Sequence, residues 1–219
     1  MTSSLVARLA KIDSCAVSDA LDALKIAGVA LDLNILTVRR RIVGEAITVQ
    51  LGLAQEGVAK RHLCTAAVEA AGPGKIIVIA HNAITNVAGW GGLLSLGASA
   101  RGLEGVVIDG ACRDVDEAID LDLPIYGRAG VPITARSRVM ERDWNVPVTV
   151  CGVAVSPNDL VIADSSGVVF IPQARAEEVI NRAEAIFQNE ARMAADVRDG
   201  KPISQVMGHN YESMLTQKT

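Results

Sequence analysis

Residues 89–114 read GWGGLLSLGASARGLEGVVIDGACRD, and the order of residue types in this stretch sets the fold class. Gly89-Trp90-Gly91-Gly92 opens into a helical stretch, Leu93 to Arg101. A turn over Gly102 to Gly105 follows, then the apolar, β-branched run Val106-Val107-Ile108, closed by Asp109-Gly110. Glycine-rich turn, helix, turn and strand in succession is the grammar of α/β layering. Upstream, Lys75 to Ala80 is the short, nearly all-apolar run expected of a strand covered on both faces. A helical stretch around Leu63 to Ala71 precedes it, stopped by Gly72-Pro73-Gly74. Ile42 to Val49 has the composition of a strand, and Ser14 is placed to cap an opening helix whose Val17, Ala20, Leu21 and Leu24 share one face. Downstream, Arg113 to Leu121 reads as helix. After Pro124 come short β runs, Val148 to Val155, Leu160 to Ala163 and Val168 to Ile171, with Ala163 to Gly167 composed as a hairpin turn. A long amphipathic helix over about 173–199 carries Val179, Ile180, Ala183, Ile186, Phe187 and Ala191 at three- and four-residue spacing. The tail from Lys201 carries weak signals. No repeat, low-complexity tract or linker divides the chain, so the prediction is one α/β domain over residues 1–219, β-rich at its centre, with flanking N- and C-terminal helices.

Bulk composition narrows the function classes. Only 3% of the residues are aromatic, so the core is built from Ala, Val, Ile and Leu, and platforms for stacking bases are scarce. A formal net charge of −4 leaves no basic footprint for phosphate backbones, and nucleic acid is excluded as the expected partner. Cys15, Cys64, Cys112 and Cys151 form no CxxC pair, which predicts reduced, buried thiols rather than a disulfide framework. The first residues lack the apolar core of a signal peptide, and no apolar run reaches the roughly 18 residues a membrane span needs. The expectation is a cytoplasmic protein with no membrane partner.

Two segments carry chemistry. Glycines at Gly91 and Gly92, just before a helix, let a ligand approach the backbone, and the amides of Gly91 to Leu94 can receive a carboxylate or phosphate. The same glycines would also serve simple close packing. Position 94 is Leu, so this is not a dinucleotide fingerprint, and Ile76 after Gly74-Lys75 rules out a phosphate-binding P-loop. The second segment is Asp109 to Asp114, directly after a buried strand, where ligands of open α/β sheets gather. Asp114 can offer a hard oxygen to Mg²⁺, and Arg113 a fixed fork of donors to an oxyanion. Equally, Asp114 fits an ordinary first helical turn and Arg113 a surface ion pair. His62, His81 and His209 show no ligand spacing.

The 89–114 segment resembles the shared core of two related groups: the 4-hydroxy-4-methyl-2-oxoglutarate / 4-carboxy-4-hydroxy-2-oxoadipate aldolases and the regulators of ribonuclease E activity A. SCAVSDALDAL, IVGEAITV, EAAGPGKIIVIA and NDLVIADSSGVVFIP extend the likeness over about residues 14–172. The resemblance implies a swivelling β/β/α-type fold, with the C-terminal helix contributing to subunit contacts in a homotrimer or hexamer whose active sites lie between subunits. It also implies a lyase dependent on Mg²⁺ (or Mn²⁺) that acts on small 2-oxo acids through a pyruvate enolate, by aldol cleavage or oxaloacetate decarboxylation. Under it, Asp114 is the metal ligand, and Arg113 binds the keto oxygen and steadies the enolate. The amides of Gly91, Gly92, Leu93 and Leu94 grip the pyruvate carboxylate, and Glu190 holds metal-bound water in a neighbouring subunit's site. A protein-binding regulator, or a related 2-oxo or sugar-acid enzyme, are the rival readings. One departure stands out. The aldolases carry an acidic residue twenty-one positions before the arginine, where this chain has Gly92, and the nearest acids along the sequence are Glu69 and Glu104. With no base for the substrate hydroxyl, decarboxylation is expected to outlast aldol cleavage.

Overall fold

The computed structural model describes residues 2–55 and 62–208. Two helices open the chain, α1 (Thr2–Leu9) and α2 (Ser14–Leu24), followed by the short strands β1 (Val29–Ala30) and β2 (Asn34–Ile35). Next come β3 (Ile42–Leu53), α3 (Thr65–Glu69), β4 (Lys75–Trp90), α4 (Gly92–Ala100), β5 (Gly105–Cys112) and α5 (Val115–Asp120). Then follow β6 (Ile125–Gly130), β7 (Val139–Trp144), β8 (Val148–Val150), β9 (Val153–Val155), β10 (Leu160–Asp164) and β11 (Gly167–Ile171), and α6 (Ala176–Arg198) and α7 (Ile203–Val206) close the described chain.

Among the described residues, one nine-stranded sheet runs in the order β1-β11-β10-β3-β4-β5-β6-β2, with β7 also paired to β3. Its middle, β3-β4-β5-β6, is parallel, and its flanks are antiparallel. Alternation along the strands explains the layers. Val49, Leu51, Ile77, Ile79, Val106 and Ile108 face one way, toward Ala67 and Val68 of α3, Ala98 of α4 and Ala118 of α5. Ala46, Ile76, Val78, Ala80 and Val107 face the other, toward Val148, Val150, Val153 and Val155 of the β8–β9 hairpin. Leu160, Ile162, Val169 and Ile171 turn to a third cluster with Leu9 of α1, Val17 and Leu21 of α2, and Val179, Ile180 and Ala183 of α6. Covered on both sides, Ile76 to Ala80 are fully buried, as their composition predicts.

Several boundaries differ from the sequence reading. Asp13, not Ser14, caps α2, its side chain accepting from the Ala16 N–H, while Ser14 Oγ donates to Asp164 Oδ1 at 2.7 Å. Asp109-Gly110 does not end a strand. β5 continues to Cys112, because β4 kinks away after Ile79 and rejoins it at Ile84, Ala88 and Trp90. Val148 to Val155 is not one run but a hairpin, turned at Cys151 (φ 49°) and Gly152 (φ 81°), the paired positive φ values that two-residue hairpins favour. The helix after Arg113 starts at Val115. All four cysteines are free, but Cys15 is exposed and Cys151 half-buried. Among the described residues no helix is long and apolar enough to cross a membrane.

Candidate active site

The parallel strands deliver two segments side by side. β4 ends at Trp90 and β5 at Cys112, these two residues pair, and the Arg113 N–H donates to the Trp90 carbonyl at 3.0 Å. Gly91 caps α4 in extended conformation. Asp114 takes the N-cap position of α5 with φ 55°, yet its side chain caps nothing. That left-handed backbone, uncommon outside glycine, sends the carboxylate across to the facing segment, where Oδ2 accepts the Gly92 N–H at 2.9 Å. Arg113 Nε lies 3.0 and 3.1 Å from Asp114 Oδ1 and Oδ2. The Gly92 amide foremost, and then Arg113, hold the Asp114 carboxyl below the usual carboxylate range against the opposing pull of burial. Asp114 is therefore an ionised oxygen donor at neutral pH, and only the Nε edge of the Arg113 fork is engaged by it.

Both glycines lie close to the facing segment. A Cβ on Gly91 would stand 3.0 Å from Asp114 Oδ2 and from Arg113 Cγ. At Gly92 the space is already filled. A Cβ there would lie 1.8 Å from Glu117 Oε2, 2.8 Å from Glu117 Cδ and 3.2 Å from Asp114 Cβ. A carboxylate from the first turn of α5 thus stands over position 92. Glu117 lies twenty-five residues from position 92, so nearness along the chain does not reveal it. The detectable signal was Glu117 three residues after Asp114, the spacing that puts two side chains on one helix face.

The structure brings Gly91, Gly92, Leu93, Leu94, Arg113 and Asp114 together as predicted, and adds Glu117. One amide of the anticipated cradle, that of Gly92, is committed to Asp114, which leaves those of Gly91, Leu93 and Leu94, the last two at the start of α4, for a ligand. Glu190 is elsewhere in the protomer. It lies on α6, which packs on α2 in the third core cluster, and burial together with Asp19 and Asp13 raises its carboxyl. The two described histidines stay outside the site. His62 is exposed, His209 lies outside the described residues, and His81 is fully buried, with Nε2 on the Val87 carbonyl at 2.8 Å and burial lowering its pKa. Cys112, next to Arg113, is fully buried, and burial pushes its thiol up to about 11, so it is no nucleophile at neutral pH.

Among the described residues no three His, Cys, Asp or Glu side chains converge as a closed metal cage. The ionised Asp114 carboxylate does suit Mg²⁺, which typically binds through one or two carboxylates and keeps several waters or substrate oxygens. The residues present fit such an ion.

Residues 14–170 match the family model of the RraA-like proteins, described as Aldolase/RraA. The chain belongs to the Aldolase/RraA family. A protein of Halalkalibacterium halodurans provisionally named 4-hydroxy-4-methyl-2-oxoglutarate aldolase is 32% identical over 173 residues, 79% of each chain. Protein DlpA of Legionella pneumophila is 29% identical over 92% of this chain, which spans only 33% of that longer relative. Of solved structures, an uncharacterised protein from Pseudomonas syringae superposes with a TM-score of 0.84 at 30% identity, covering 94% of this chain and 98% of that one. RraAS2 of Streptomyces coelicolor, described as an unusual member of the RNase ES inhibitor RraA family, gives 0.76 at 25% identity over 90% and 96%. This family member is a mixed α/β single domain with flanking helices.

Proposed function

We propose that this Aldolase/RraA protein is a divalent-metal-dependent lyase that cleaves small 2-oxo acids through a pyruvate enolate. The observation that carries the reading is the Glu117 carboxylate standing in the space above Gly92, beside Asp114 and Arg113. Asp114 would hold Mg²⁺ or Mn²⁺, with Glu117 kept beside it as a base and Glu190 of a neighbouring copy completing the surroundings in a trimer-based assembly. When bound, the cation supplies Lewis-acid stabilisation of the charge that builds on the 2-oxo acid.

The chain's own groups do the rest. The Leu93 and Leu94 amides, at the positive end of α4, receive the substrate carboxylate. Arg113 keeps its Nη edge for the keto oxygen, where fixed positive charge stabilises the enolate, an effect typically worth about 3 kcal/mol. For a 4-hydroxy-2-oxo acid, Glu117 accepts the hydroxyl proton while the C3–C4 bond breaks. The bonding electrons pass into the enolate, and the carbinol carbon leaves as a carbonyl. The enolate carbon then takes up a proton to give pyruvate. Oxaloacetate needs no hydroxyl base, since CO₂ leaves directly. The expectation that decarboxylation outlasts aldol cleavage rested on a missing carboxylate; with Glu117 in place, both reactions are supported.

Pyruvate release from 4-hydroxy-4-methyl-2-oxoglutarate and from oxaloacetate, with and without chelator, tests the proposal. Glu117→Gln is expected to slow aldol cleavage by about 10²- to 10⁴-fold and decarboxylation far less. Chelator and Arg113→Ala should abolish both. A wild-type rate unmoved by either treatment refutes the reading. The likeness to RraAS2 favours a second reading, a protein-binding regulator; under it Arg113→Ala leaves the biological effect unchanged.

A further inference from the structure

β3, β4, β5 and β6 all end on one edge of the sheet, and the segment after β6 runs along that edge as a strap tied at three points. The Val131 N–H donates to the Cys112 carbonyl at 2.8 Å, immediately before Arg113. The Ala88 N–H donates to Ile133 O at 3.0 Å, and the Ala54 N–H, just past β3, donates to Arg138 O at 2.9 Å. One end of the strap thus adjoins the candidate active site, and the other borders a cavity of about 380 Å³. Leu63 and Met140 supply apolar wall; His62, Gln55, Ser137 and Arg136 supply the polar part of the lining.

Neighbouring cations are already engaged. Arg138 Nη1 donates to the Thr134 carbonyl, and Arg142 donates to Gln55 Oε1 and the Leu53 carbonyl. The Arg136 guanidinium has no acceptor among the described residues; that residue's one side-chain-mediated contact is its backbone N–H on Thr134 Oγ1. A permanently charged planar fork beside apolar wall matches a carboxylate carried on a short hydrocarbon body.

We infer that this cavity binds the carboxylate of a small organic acid, with Arg136 as the anion-binding fork and His62 as a further donor. Two sources share that chemistry: the far carboxylate of a 2-oxo diacid whose keto end lies at Arg113, or a separate acid. The first source rests on the function proposed above, the second does not.

Calorimetric titration of the full chain with Mg²⁺ and 2-oxoglutarate, a 2-oxo diacid without a cleavable hydroxyl, tests the assignment. Pyruvate, which lacks the far carboxylate, reports the Arg113 end alone. Arg136→Ala is expected to weaken 2-oxoglutarate binding by about tenfold while leaving pyruvate affinity and the melting temperature unchanged, since the side chain is exposed. With that dependence in hand, a further loss of 2-oxoglutarate binding in Arg113→Ala assigns one acid spanning both ends, and undiminished binding assigns a separate acid. Loss of pyruvate binding in Arg113→Ala tests the proposed function independently. If Arg136→Ala binds 2-oxoglutarate as the wild type does, the cavity is not a carboxylate site.

Discussion

Gly92 has no side chain, but the volume a side chain would take is occupied by Glu117. Two residues far apart in sequence therefore constrain one another. Gly92→Ala forces the Glu117 carboxylate aside, and the atom in the way is the end of a flexible side chain, so the fold yields at a cost of about 1 kcal/mol or less. The site does not yield so easily, because a displacement of about 1 Å in a reacting group can cost roughly 100-fold in rate. Gly92→Ala is thus expected to cut pyruvate release by about that factor with a melting temperature within a few degrees of wild type, measured by coupled assay and thermal unfolding. A Gly92→Asp, Glu117→Ala pair returns a carboxylate to the same space from the other segment, and recovers more activity than either single change. Equal activity in the pair and in Glu117→Ala would show that the position of that carboxylate is immaterial.

At the scale of elements, legibility follows how local the cause is. The long helix α6, the hairpin turn after β10 and the buried start of β4 are set by nearby periodicity and turn chemistry, and all stand where the sequence places them. β6 and β7 left no readable pattern. Gly127 and Arg128 interrupt the first, and Glu141 sits buried in the second only because its carboxylate accepts the Cys64 N–H at 2.7 Å, a partner 77 residues away. The Asp109-Gly110 pair imitates a turn, and only the kinked pairing of β4 makes it strand. The cap of α2 is another long-range case. Ser14 is drawn from the cap position to Asp164, whose Oδ2 accepts the Ser14 N–H at 2.9 Å and whose Oδ1 accepts the Ser14 hydroxyl and the Ser166 N–H. Burial alone would raise the Asp164 carboxyl; these three donors together with Arg41 outweigh it and hold it below the ordinary value. A carboxyl depressed in the folded state stabilises the fold above its unfolded pKa, about 3.9, and loses that contribution as pH falls through the folded value. Asp164→Asn is accordingly expected to cost about 1–3 kcal/mol at pH 7 in chemical denaturation, with the gap to wild type closing below about pH 4. A gap independent of pH would mean that the charge on Asp164 contributes nothing to the docking of α2.

Across the whole molecule, the parallel centre of the sheet has its two faces covered by different kinds of layer, helices α3–α5 on one and the β8–β9 hairpin on the other, and the second layer is pinned by a buried ion pair. Arg128 Nε of β6 lies 2.5 Å from Asp109 Oδ1 of β5, and Asp109 Oδ2 accepts the Cys151 N–H at the hairpin turn, 3.0 Å away. The Asp109 side chain is only 8% exposed and that of Arg128 19%. Burial, with Asp109 close by, pushes the Cys151 thiol up to about 11, so it stays protonated beside the pair. Two charges taken out of water gain little net stability from each other, whereas removing one strands its partner. Asp109→Ala should therefore destabilise the protein by about 3–5 kcal/mol, because Arg128 loses its near, buried partner and the Cys151 amide its acceptor. Asp109→Leu combined with Arg128→Met keeps the volume apolar and should recover most of that loss, read as the difference in unfolding free energy around the double-mutant cycle. Since Asp109 stands on β5, four residues before Arg113, the single mutant is also expected to lose pyruvate release through partial unfolding, and to regain it on cooling well below its melting temperature. Additive effects of the two substitutions would mean that the hairpin is held by its valines alone.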